Sequence, residues 1–286
     1  MPKEKVVILG HTGFVGQHLY NKLQNESMFE VYGFSSKEVN LLSLGMYQKL
    51  TNICDGKTVM IMAAAITRSK GDDFSALNGN IKMVLNLANF LSRRKIKHLI
   101  YTGSIAVYGN NSKTPITETS PINPDSFYSS AKACGELILK RICEKSGVAL
   151  TMLRMGKIYG KGDTTSPIFI FSQNIMLGKP IEIYGNGSHR LYCVHQDDLF
   201  LMVKKVILEK IEGDYNVTPG GGTTLIELIR LLLELSGRKA EIKFNPAVNS
   251  PVLLIFNTSK FQATFKDFFS ISLEEGLKEY FTPITP

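Results

Sequence analysis

The chain has 286 residues, of which 44% are hydrophobic, and its 33 Lys and Arg exceed its 25 Asp and Glu by eight charges. This composition excludes a disordered, collagen-like or coiled-coil protein, and it suffices to bury a large core. The sequence contains no apolar run near the roughly 18 residues that a membrane span needs, and its first residues do not resemble a secretory signal. We therefore expect no membrane partner.

Cysteine spacing and charge distribution indicate which bridges and ligands the protein can have. The sequence has no C-x-x-C pair and no histidine at metal-ligand spacing, so we expect neither a disulfide framework nor a metal site; the cysteines are Cys54, Cys134, Cys143 and Cys193. A reducing cytoplasm is the simplest location. The basic residues are dispersed rather than arranged in a stripe with aromatic residues, which argues against nucleic acid and is compatible with a phosphate-bearing small ligand.

Hydrophobic periodicity predicts the fold class. In the first half, strands predicted at 6–9, 30–34, 58–62, 98–101 and 148–154 alternate with helices predicted at 14–24, about 80–93 and 127–146. Beyond Gly156, turn-rich pieces interrupt shorter elements, with helices predicted at 198–209 and 224–235. We therefore predict an α/β protein: a Rossmann-type doubly wound parallel sheet over 1–156, and a smaller C-terminal substrate-binding lobe over 157–286, some of whose segments return to the first domain.

A glycine-rich loop follows the first predicted strand. VVILG runs into GHTGFVG, which places Gly10, Gly13 and Gly16 at the start of a helix. Glycines there allow a tight turn and let the backbone approach a pyrophosphate, which then lies at the helix N-terminus. The loop therefore predicts a dinucleotide site, to which we also assign Thr12, Phe14 and Val15.

The end of the second predicted strand bears on the choice of dinucleotide. An acidic residue at this point usually binds the adenosine ribose hydroxyls, but the strand here ends in Ser35, Ser36 and Lys37. Without a carboxylate, hydroxyls and an ammonium are available to bind a 2′-phosphate. The sequence therefore favours NADP(H), with NAD(H) possible, and we assign Asn40 and Leu41 to the same side of the cofactor.

Three further residues predict hydride chemistry. Tyr128 and Lys132 in YSSAK lie one helical turn apart, and Ser104 ends the strand LIYTGS. A nearby ammonium and an oxidised nicotinamide would favour the tyrosine phenolate, so that Tyr128 could act as an acid or base near neutral pH. The Ser104 hydroxyl could bind a substrate oxygen as its charge changes.

Over nearly its whole length the sequence resembles the extended short-chain dehydrogenase/reductases of the NAD(P)-dependent epimerase/dehydratase type, which act mostly on nucleotide-activated sugars. The resemblance rests on GHTGFVG, MAAAI, GSIAVYG and YSSAK, and on LRMGKIYGKGD and IEIYGNGSHRLYCVHQDDL in the second half. It implies that Ser104, Tyr128 and Lys132 are catalytic and that Arg190 binds the substrate diphosphate. It also implies that the cofactor contacts Ala63, Ala64, Ala65 and Asn80.

Two departures from the family pattern bear on the reaction. Dehydratases of the family carry an Asp-Glu pair after the serine or threonine, whereas this chain has Ile105 and Ala106. A commonly Asn position that contacts the substrate diphosphate is Lys157, whose cation could bind phosphate or could serve the structure alone. The pattern therefore argues against a 4,6-dehydratase.

These observations give a leading hypothesis and two alternatives. The leading one is NADPH-linked reduction of a nucleotide-linked keto sugar by Ser-Tyr-Lys catalysis. The alternatives are an NAD-dependent nucleotide-sugar 4-epimerase and a non-catalytic dinucleotide-binding protein. A homodimer is possible, since the family often dimerises through the Tyr-Lys helix and the helix before it; Ile138, Leu139 and Ile142 offer apolar positions that core packing would use equally well.

Several polar residues receive a structural interpretation. His11 and His195 have no nucleophile or metal partner at recognisable spacing, and we expect them to be solvated loop residues. Asp197 and Asp198 are expected to cap the following helix, and Asp72 and Asp73 to start the long helix of the first half in the same way. Arg68, just past the third predicted strand, either lines the substrate pocket or lies in an unrelated loop.

Overall fold

The computed structural model describes residues 2–43, 47–110, 113–246, 254–265 and 271–281, which form two compact units. The first unit comprises Met1–Gly109, Pro121–Arg154 and Phe200–Tyr215. The second comprises Asn110–Ser120, Met155–Leu199 and Asn216–Pro286. The chain thus passes between the units more than once.

The helices and strands follow one another in the order expected for an α/β protein. They are β1 (Glu4–Leu9), α1 (Phe14–Gln24), β2 (Phe29–Phe34), α2 (Tyr47–Ile53), β3 (Val59–Met62), α3 (Phe74–Arg93), β4 (His98–Ser104), α4 (Phe127–Ser146), β5 (Ala149–Met155), β6 (Lys157–Tyr159), α5 (Pro167–Met176), β7 (Ile181–Tyr184), β8 (Arg190–Leu191), β9 (Cys193–His195), α6 (Gln196–Glu209), β10 (Gly213–Val217), β11 (Thr223–Thr224), α7 (Leu225–Ser236), β12 (Ile242–Asn245), α8 (Ser259–Phe265) and α9 (Leu273–Lys278). Short 3-10 turns at Arg68–Lys70 and Ile105–Tyr108 follow β3 and β4.

The first unit is built on a six-stranded sheet with strand order β10-β5-β4-β3-β1-β2. The pairs β1–β2, β1–β3 and β3–β4 are parallel. All four residues of β3 and the first six of β4 are buried, as expected for strands covered on both faces. The Rossmann-type doubly wound sheet predicted from the sequence is confirmed, and it brings the ends of β1, β3 and β4 to one edge.

Two long helices, α3 and α4, pack against each other on the first unit. Helix α3 begins at Phe74, six residues before the start near residue 80 that its apolar spacing predicts. The expectation that Asp73 starts the helix is confirmed, because its side chain caps it by accepting a hydrogen bond from the Ala76 N–H at 2.8 Å. Helix α4 starts as predicted and begins with a capping box between Ser126 and Ser129. These caps fix where each helix begins beside the strand ends.

The apolar residues considered for a dimer interface on α4 serve the core of the first unit. Leu139 is fully buried, and Ile138 and Ile142 pack against the same core cluster. The exposed apolar side chains of these helices include Leu85 on α3 and Leu137 on α4, which are 50% and 63% exposed. Of the two uses considered for the three α4 residues, the structure shows core packing.

The second unit has its own core. Side chains of α5, α7 and β7 pack with Tyr159 and Leu277 around a cluster that includes Ile168, Ile181 and Leu228. The expectation that Asp197 and Asp198 cap α6 is wrong, because the helix begins at Gln196 and both carboxylates lie inside its first turn. There they complement the positive end of the helix dipole.

Three further features of the described part of the chain concern membranes, metals and disulfides. None of its helices is both long and apolar enough to cross a membrane. Its histidines, cysteines and carboxylates form no group of three that could hold a metal ion. All four cysteines are free thiols.

Candidate active site

The loop between β1 and α1 has a backbone geometry that requires glycine. Gly10 has φ +87°, and a Cβ there would lie 2.7 Å from the backbone of Ala64. A Cβ on Gly16 would lie 2.2 Å from the Gly10 carbonyl oxygen. Gly13 is the N-cap of α1 and supplies no side-chain hydrogen bond to the first N–H groups of that helix. The loop therefore fits a pyrophosphate bound at the helix N-terminus.

The segment after β3 lies against this loop. The Ala63 N–H donates to the Leu9 carbonyl at 3.0 Å, which extends the pairing of β3 with β1. Asn80 of α3 holds the next turn, because its side-chain amide accepts from the Ile66 N–H at 2.8 Å and donates to the Ile66 carbonyl at 2.9 Å. Asn80 thus positions the alanine segment, and its direct contact with a cofactor stays a prediction.

The end of β2 differs from the sequence-based expectation in one respect. The expected absence of a carboxylate there is wrong, because Glu38 folds back onto Ser35. The Ser35 N–H donates to Glu38 Oε2 at 2.8 Å, and the Ser35 hydroxyl bonds the same oxygen. These hydrogen bonds from Ser35 lower the pKa of Glu38. Ser36 and Lys37 are exposed beside this turn.

Asn40 and Leu41, which the sequence analysis assigned to the cofactor, have structural contacts in the fold. The Asn40 side chain accepts a hydrogen bond from the Leu42 N–H at 3.0 Å. The Leu41 side chain lies in the core, and its carbonyl accepts from Asn86 at 2.7 Å. Their assignment to the cofactor site stays a prediction.

Ser104, Tyr128 and Lys132 come together at the end of β4. The Ser104 hydroxyl accepts from the Ala106 N–H at 3.2 Å and forms a hydrogen bond with the Tyr128 side chain. Lys132 Nζ lies 5.9 Å from the centroid of the Tyr128 ring. The structure thus brings together the three residues that we predict to be catalytic.

Lys132 is buried. Its ammonium donates to the Thr102 carbonyl at 2.7 Å and lies 4.9 Å from the centroid of the Tyr101 ring. Burial lowers the pKa of Lys132 to about 8, against the opposing effect of the Glu136 carboxylate one turn further along α4. Lys132 can therefore lose its proton near pH 8, whereas an exposed lysine keeps its proton until about pH 10.5.

Burial also raises the pKa of Tyr128 above its ordinary value. The positive charge that opposes this rise comes from Arg68, whose guanidinium carbon lies 5.8 Å from the ring centroid; the hydrogen bond with Ser104 acts in the same direction. Lys132, expected to provide that charge, donates instead to a backbone carbonyl. Tyr128 is consequently held in its protonated form at neutral pH, and Arg68 is a neighbour that sequence spacing did not assign.

A buried ion pair lies behind Lys132. Arg154 of β5 donates to the Glu136 carboxylate from Nε at 2.9 Å and from Nη2 at 2.8 Å, and from Nη1 to the Tyr108 hydroxyl at 2.6 Å. Both charged side chains are only 4% exposed. Asp214 of β10 lies 3.5 Å from Arg154 Nη2. The spacing of Glu136 four residues after Lys132 is a sequence signal that could have found one half of this pair.

The residues after Ser104 offer no acid or base. Ile105 and Ala106 form the 3-10 turn that continues β4. Neither side chain can take or give a proton, whereas removal of water from a sugar needs both functions beside the reacting carbons. The turn therefore agrees with the expectation, which stays a prediction, that the chain is not a 4,6-dehydratase.

Lys157 and Arg190 belong to the second unit. Arg190 Nη1 donates to the carbonyls of Gly221 and Gly222 at 3.1 and 3.0 Å, and the residue is exposed. Lys157 begins β6, where its N–H donates to the Tyr192 carbonyl at 2.7 Å. The assignment of both cations to a substrate diphosphate stays a prediction.

The histidines expected to be solvated are not. His195 is buried, accepts from the Asp197 N–H at Nδ1 and places Nε2 3.2 Å from the Glu279 carboxylate. His11 is partly buried, and its ring packs against Tyr20 at 5.1 Å and beside Gly33. The His195 ring therefore takes part in local hydrogen bonding, and the His11 ring contributes to packing.

The comparisons with known proteins identify the family and agree with the fold. Residues 6–218 match the family model described as the NAD dependent epimerase/dehydratase family. An uncharacterized protein of Methanocaldococcus jannaschii, MJ1055, is 26% identical over 98% of this chain and 96% of its own. A UDP-glucose 4-epimerase from Thermus thermophilus in complex with NAD superposes with a TM-score of 0.86, at 20% identity over 98% of this chain and all of that one.

A second solved structure shares the fold with a different cofactor. It is the GDP-mannoheptose C4 reductase from Campylobacter jejuni with NADP bound, which has a TM-score of 0.80 at 19% identity over 98% of this chain and 97% of that one. The match over more than two thirds of the sequence shows that the chain belongs to the NAD dependent epimerase/dehydratase family. It is an NAD(P)-dependent enzyme of the extended short-chain dehydrogenase/reductase type, as the sequence resemblance implies.

Proposed function

We propose that this enzyme reduces a nucleotide-linked keto sugar with NADPH. The observation that carries the proposal is the end of β2, where Ser36 and Lys37 are exposed while the Glu38 carboxylate is turned onto the Ser35 N–H and hydroxyl. A 2′-phosphate placed there meets an ammonium and a hydroxyl. Ile105 and Ala106 in place of an acid and a base favour a reaction without loss of water.

The residues that would hold the dinucleotide come from three strand ends. The loop of Gly10, Gly13 and Gly16 would receive the pyrophosphate, and Ser36 with Lys37 the adenosine side. The alanines at 63–65 would lie along the cofactor, and Tyr128 and Lys132 would face the nicotinamide ribose. When bound, NADPH supplies the hydride.

The chain's own residues handle the proton. Because burial raises the pKa of Tyr128, its hydroxyl is protonated at neutral pH and can donate to a carbonyl oxygen that gains charge. Ser104, already hydrogen-bonded with Tyr128, would orient that oxygen. Lys132 would hold its place through the Thr102 carbonyl, with a pKa of about 8 that allows it to exchange protons near neutrality.

The proposed substrate carries a nucleoside diphosphate. Arg190 is exposed, and within the described residues its hydrogen bonds run from Nη1 to the carbonyls of Gly221 and Gly222. Nε and Nη2 would then bind phosphate oxygens bidentately. Lys157 would add a second positive charge. Replacement of Arg190 by lysine loses the planar fork. The factor by which this variant raises KM is expected to be at least about ten times the factor by which it lowers kcat.

A nucleotide-sugar 4-epimerase with tightly held NAD is the second candidate. The observation that favours it is the ionised Glu38 carboxylate within three residues of the end of β2, since its charge opposes a 2′-phosphate. In that reaction Tyr128 would take the proton of the sugar hydroxyl as the hydride leaves the same carbon to NAD. Both transfers would then be reversed, with the hydride returned to the other face of the carbon and the proton to its oxygen. The two candidates differ in whether cofactor is consumed.

We also propose that α3 and α4 form a homodimer interface. Leu85 and Leu137, one on each of two helices that pack together, are 50% and 63% exposed, and a partner that covered this helix pair would remove both side chains from water. Replacement of Leu137 by glutamate is expected to lower the mass measured by light scattering from dimer to monomer. An unchanged dimer mass would place the interface elsewhere.

Cofactor analysis tests the function directly. The purified protein is denatured, any released nucleotide is identified, and the empty protein is titrated with NADPH and NADH. The proposal predicts an empty protein that prefers NADPH, and in Lys37→Met an NADPH affinity at least about tenfold weaker with NADH affinity unchanged. Lys57→Met, a variant at another exposed lysine, should change neither affinity.

The outcomes separate the candidates. Release of stoichiometric NAD would contradict the reductase and support the epimerase. A preference for NADH that Lys37→Met leaves unaltered would contradict the assignment of the β2 end. Glu38→Gln is expected to improve NADPH binding further, because it removes the opposing charge while keeping an acceptor for the Ser35 N–H.

A further inference from the structure

We infer that Arg68 is a positioning residue that stabilises the negative charge left on Tyr128 once its proton has been given to the substrate. The inference rests on the proposed role of Tyr128 as the proton donor. Arg68 lies in the 3-10 turn after β3, and Tyr128 lies in the first turn of α4, 60 positions further along the chain. Only the fold brings them together.

The guanidinium of Arg68 is tied to the start of α4 at two points. Its Nη2 donates to the hydroxyl of Ser126, the N-cap of α4, at 2.5 Å. Its Nε lies 3.8 Å from the Asp72 carboxylate, and Asp72 in turn accepts from the Tyr128 backbone N–H at 2.8 Å. These contacts hold the guanidinium carbon 5.8 Å from the Tyr128 ring centroid although the side chain is 51% exposed.

The contacts of Arg68 are not needed to cap α4. Ser126 already has a cap partner in the Ser129 N–H at 3.2 Å, and the α4 N-terminus does not need a guanidinium to be satisfied. A cation held over a phenol favours the ionised ring, because the attraction acts on the phenolate charge. An arginine guanidinium does not lose its proton in proteins, so its positive charge is permanent.

The other groups around Tyr128 do not supply a permanent positive charge. On its own helix, Lys132 is buried, has a pKa of about 8 and donates to a carbonyl of β4. From β4, Ser104 gives a hydrogen bond, and Tyr101 stays neutral because burial raises its pKa. From the turn before α3, Asp72 adds a negative charge that opposes Arg68. Arg68 is thus the permanent cation among the groups identified around Tyr128 in the described part of the chain.

The direct test is a titration of the Tyr128 phenol that needs no substrate. Ultraviolet absorbance of tyrosinate is followed against pH, and the curve of Tyr128→Phe is subtracted to isolate Tyr128. In Arg68→Met, the Tyr128 pKa is expected to rise by about 0.5–1 unit, a Coulomb effect discounted for the exposure of Arg68. Arg68→Lys should restore most of the shift. Arg141→Met, at an exposed arginine in the last third of α4, should leave the titration unchanged.

A second variant keeps the test decisive if Arg68→Met fails to fold. Asp72→Asn removes the opposing charge while its side-chain oxygen can still accept from the Tyr128 N–H, so the Tyr128 pKa should fall. A folded Arg68→Met protein whose Tyr128 titrates as in the wild type would overturn the inference, and so would a rise in Asp72→Asn. Because no turnover is measured, these results stay separate from the fate of the proposed function.

Discussion

Replacement of Arg154 by methionine removes one half of the buried ion pair behind Lys132. The guanidinium makes three hydrogen bonds of 2.8, 2.9 and 3.2 Å to Glu136 and one of 2.6 Å to Tyr108, and both charged side chains are 4% exposed. Loss of one partner leaves a buried carboxylate without its main compensation. Such losses cost about 3–5 kcal/mol of the free energy of unfolding.

The cost should depend on pH with a defined sign. Burial already raises the pKa of Glu136, and Arg154 opposes that rise, so Arg154→Met raises the pKa further. The folded variant then binds more protons than the unfolded chain above about pH 4.5. Stability should therefore fall as pH increases from there, by up to about 1.4 kcal/mol per unit.

The assay is urea unfolding followed by circular dichroism at pH 5 and pH 8. The matched control is Arg141→Met, which breaks the Arg141–Glu144 pair of 3.0 Å, whose side chains are 80% and 68% exposed. This exposed pair should contribute less than about 1 kcal/mol at either pH. The double variant Glu136→Met/Arg154→Met should recover most of the stability, because no buried charge of the pair remains unpaired.

Two results would refute the reasoning. One is an Arg154→Met protein that loses no more stability than Arg141→Met. The other is a double variant that is as unstable as Arg154→Met, since this would mean that lost packing, not the unpaired Glu136 charge, causes the loss.

The remaining predictions concern acid stability, cofactor binding and turnover. Burial lowers the pKa of His98 to about 4, so the unfolded chain binds more protons than the folded one between about pH 6.5 and 4. The free energy of unfolding should therefore fall by up to about 3 kcal/mol as pH decreases through that window. His98→Gln should flatten this slope in urea melts, and an unchanged slope would assign it to other groups. Gly16→Ala should abolish NADPH binding in titrations, because its Cβ would lie 2.2 Å from a carbonyl oxygen, whereas Gly56→Ala meets no atom within 4 Å and should bind normally. Tyr128→Phe should lose at least about 100-fold in kcat while it keeps cofactor affinity, and normal turnover would exclude Tyr128 as the proton donor.

Local patterns in the sequence predicted the parts of the protein that depend on neighbours along the chain. Gly10, Gly13 and Gly16 mark the tight turn from β1 into α1 because they lie close together in the sequence. Tyr128 and Lys132 share one helix face because they are four residues apart. The strands of the sheet are visible as apolar runs because they are covered on both faces. The apolar spacing of α3 is regular only from about residue 80, but the cap residue Asp73 marks where the helix begins, at Phe74.

Tertiary structure alone decided the electrostatics of the site. Arg68 meets Ser126 across 58 positions, and Asp72 meets the Tyr128 N–H across 56, distances at which spacing carries no signal. The same holds for the burial that raises the pKa of Tyr128 and lowers that of Lys132. Which residues can do chemistry follows from their types and local order, but how readily each holds its proton depends on the solvent and charges that the folded chain places around it.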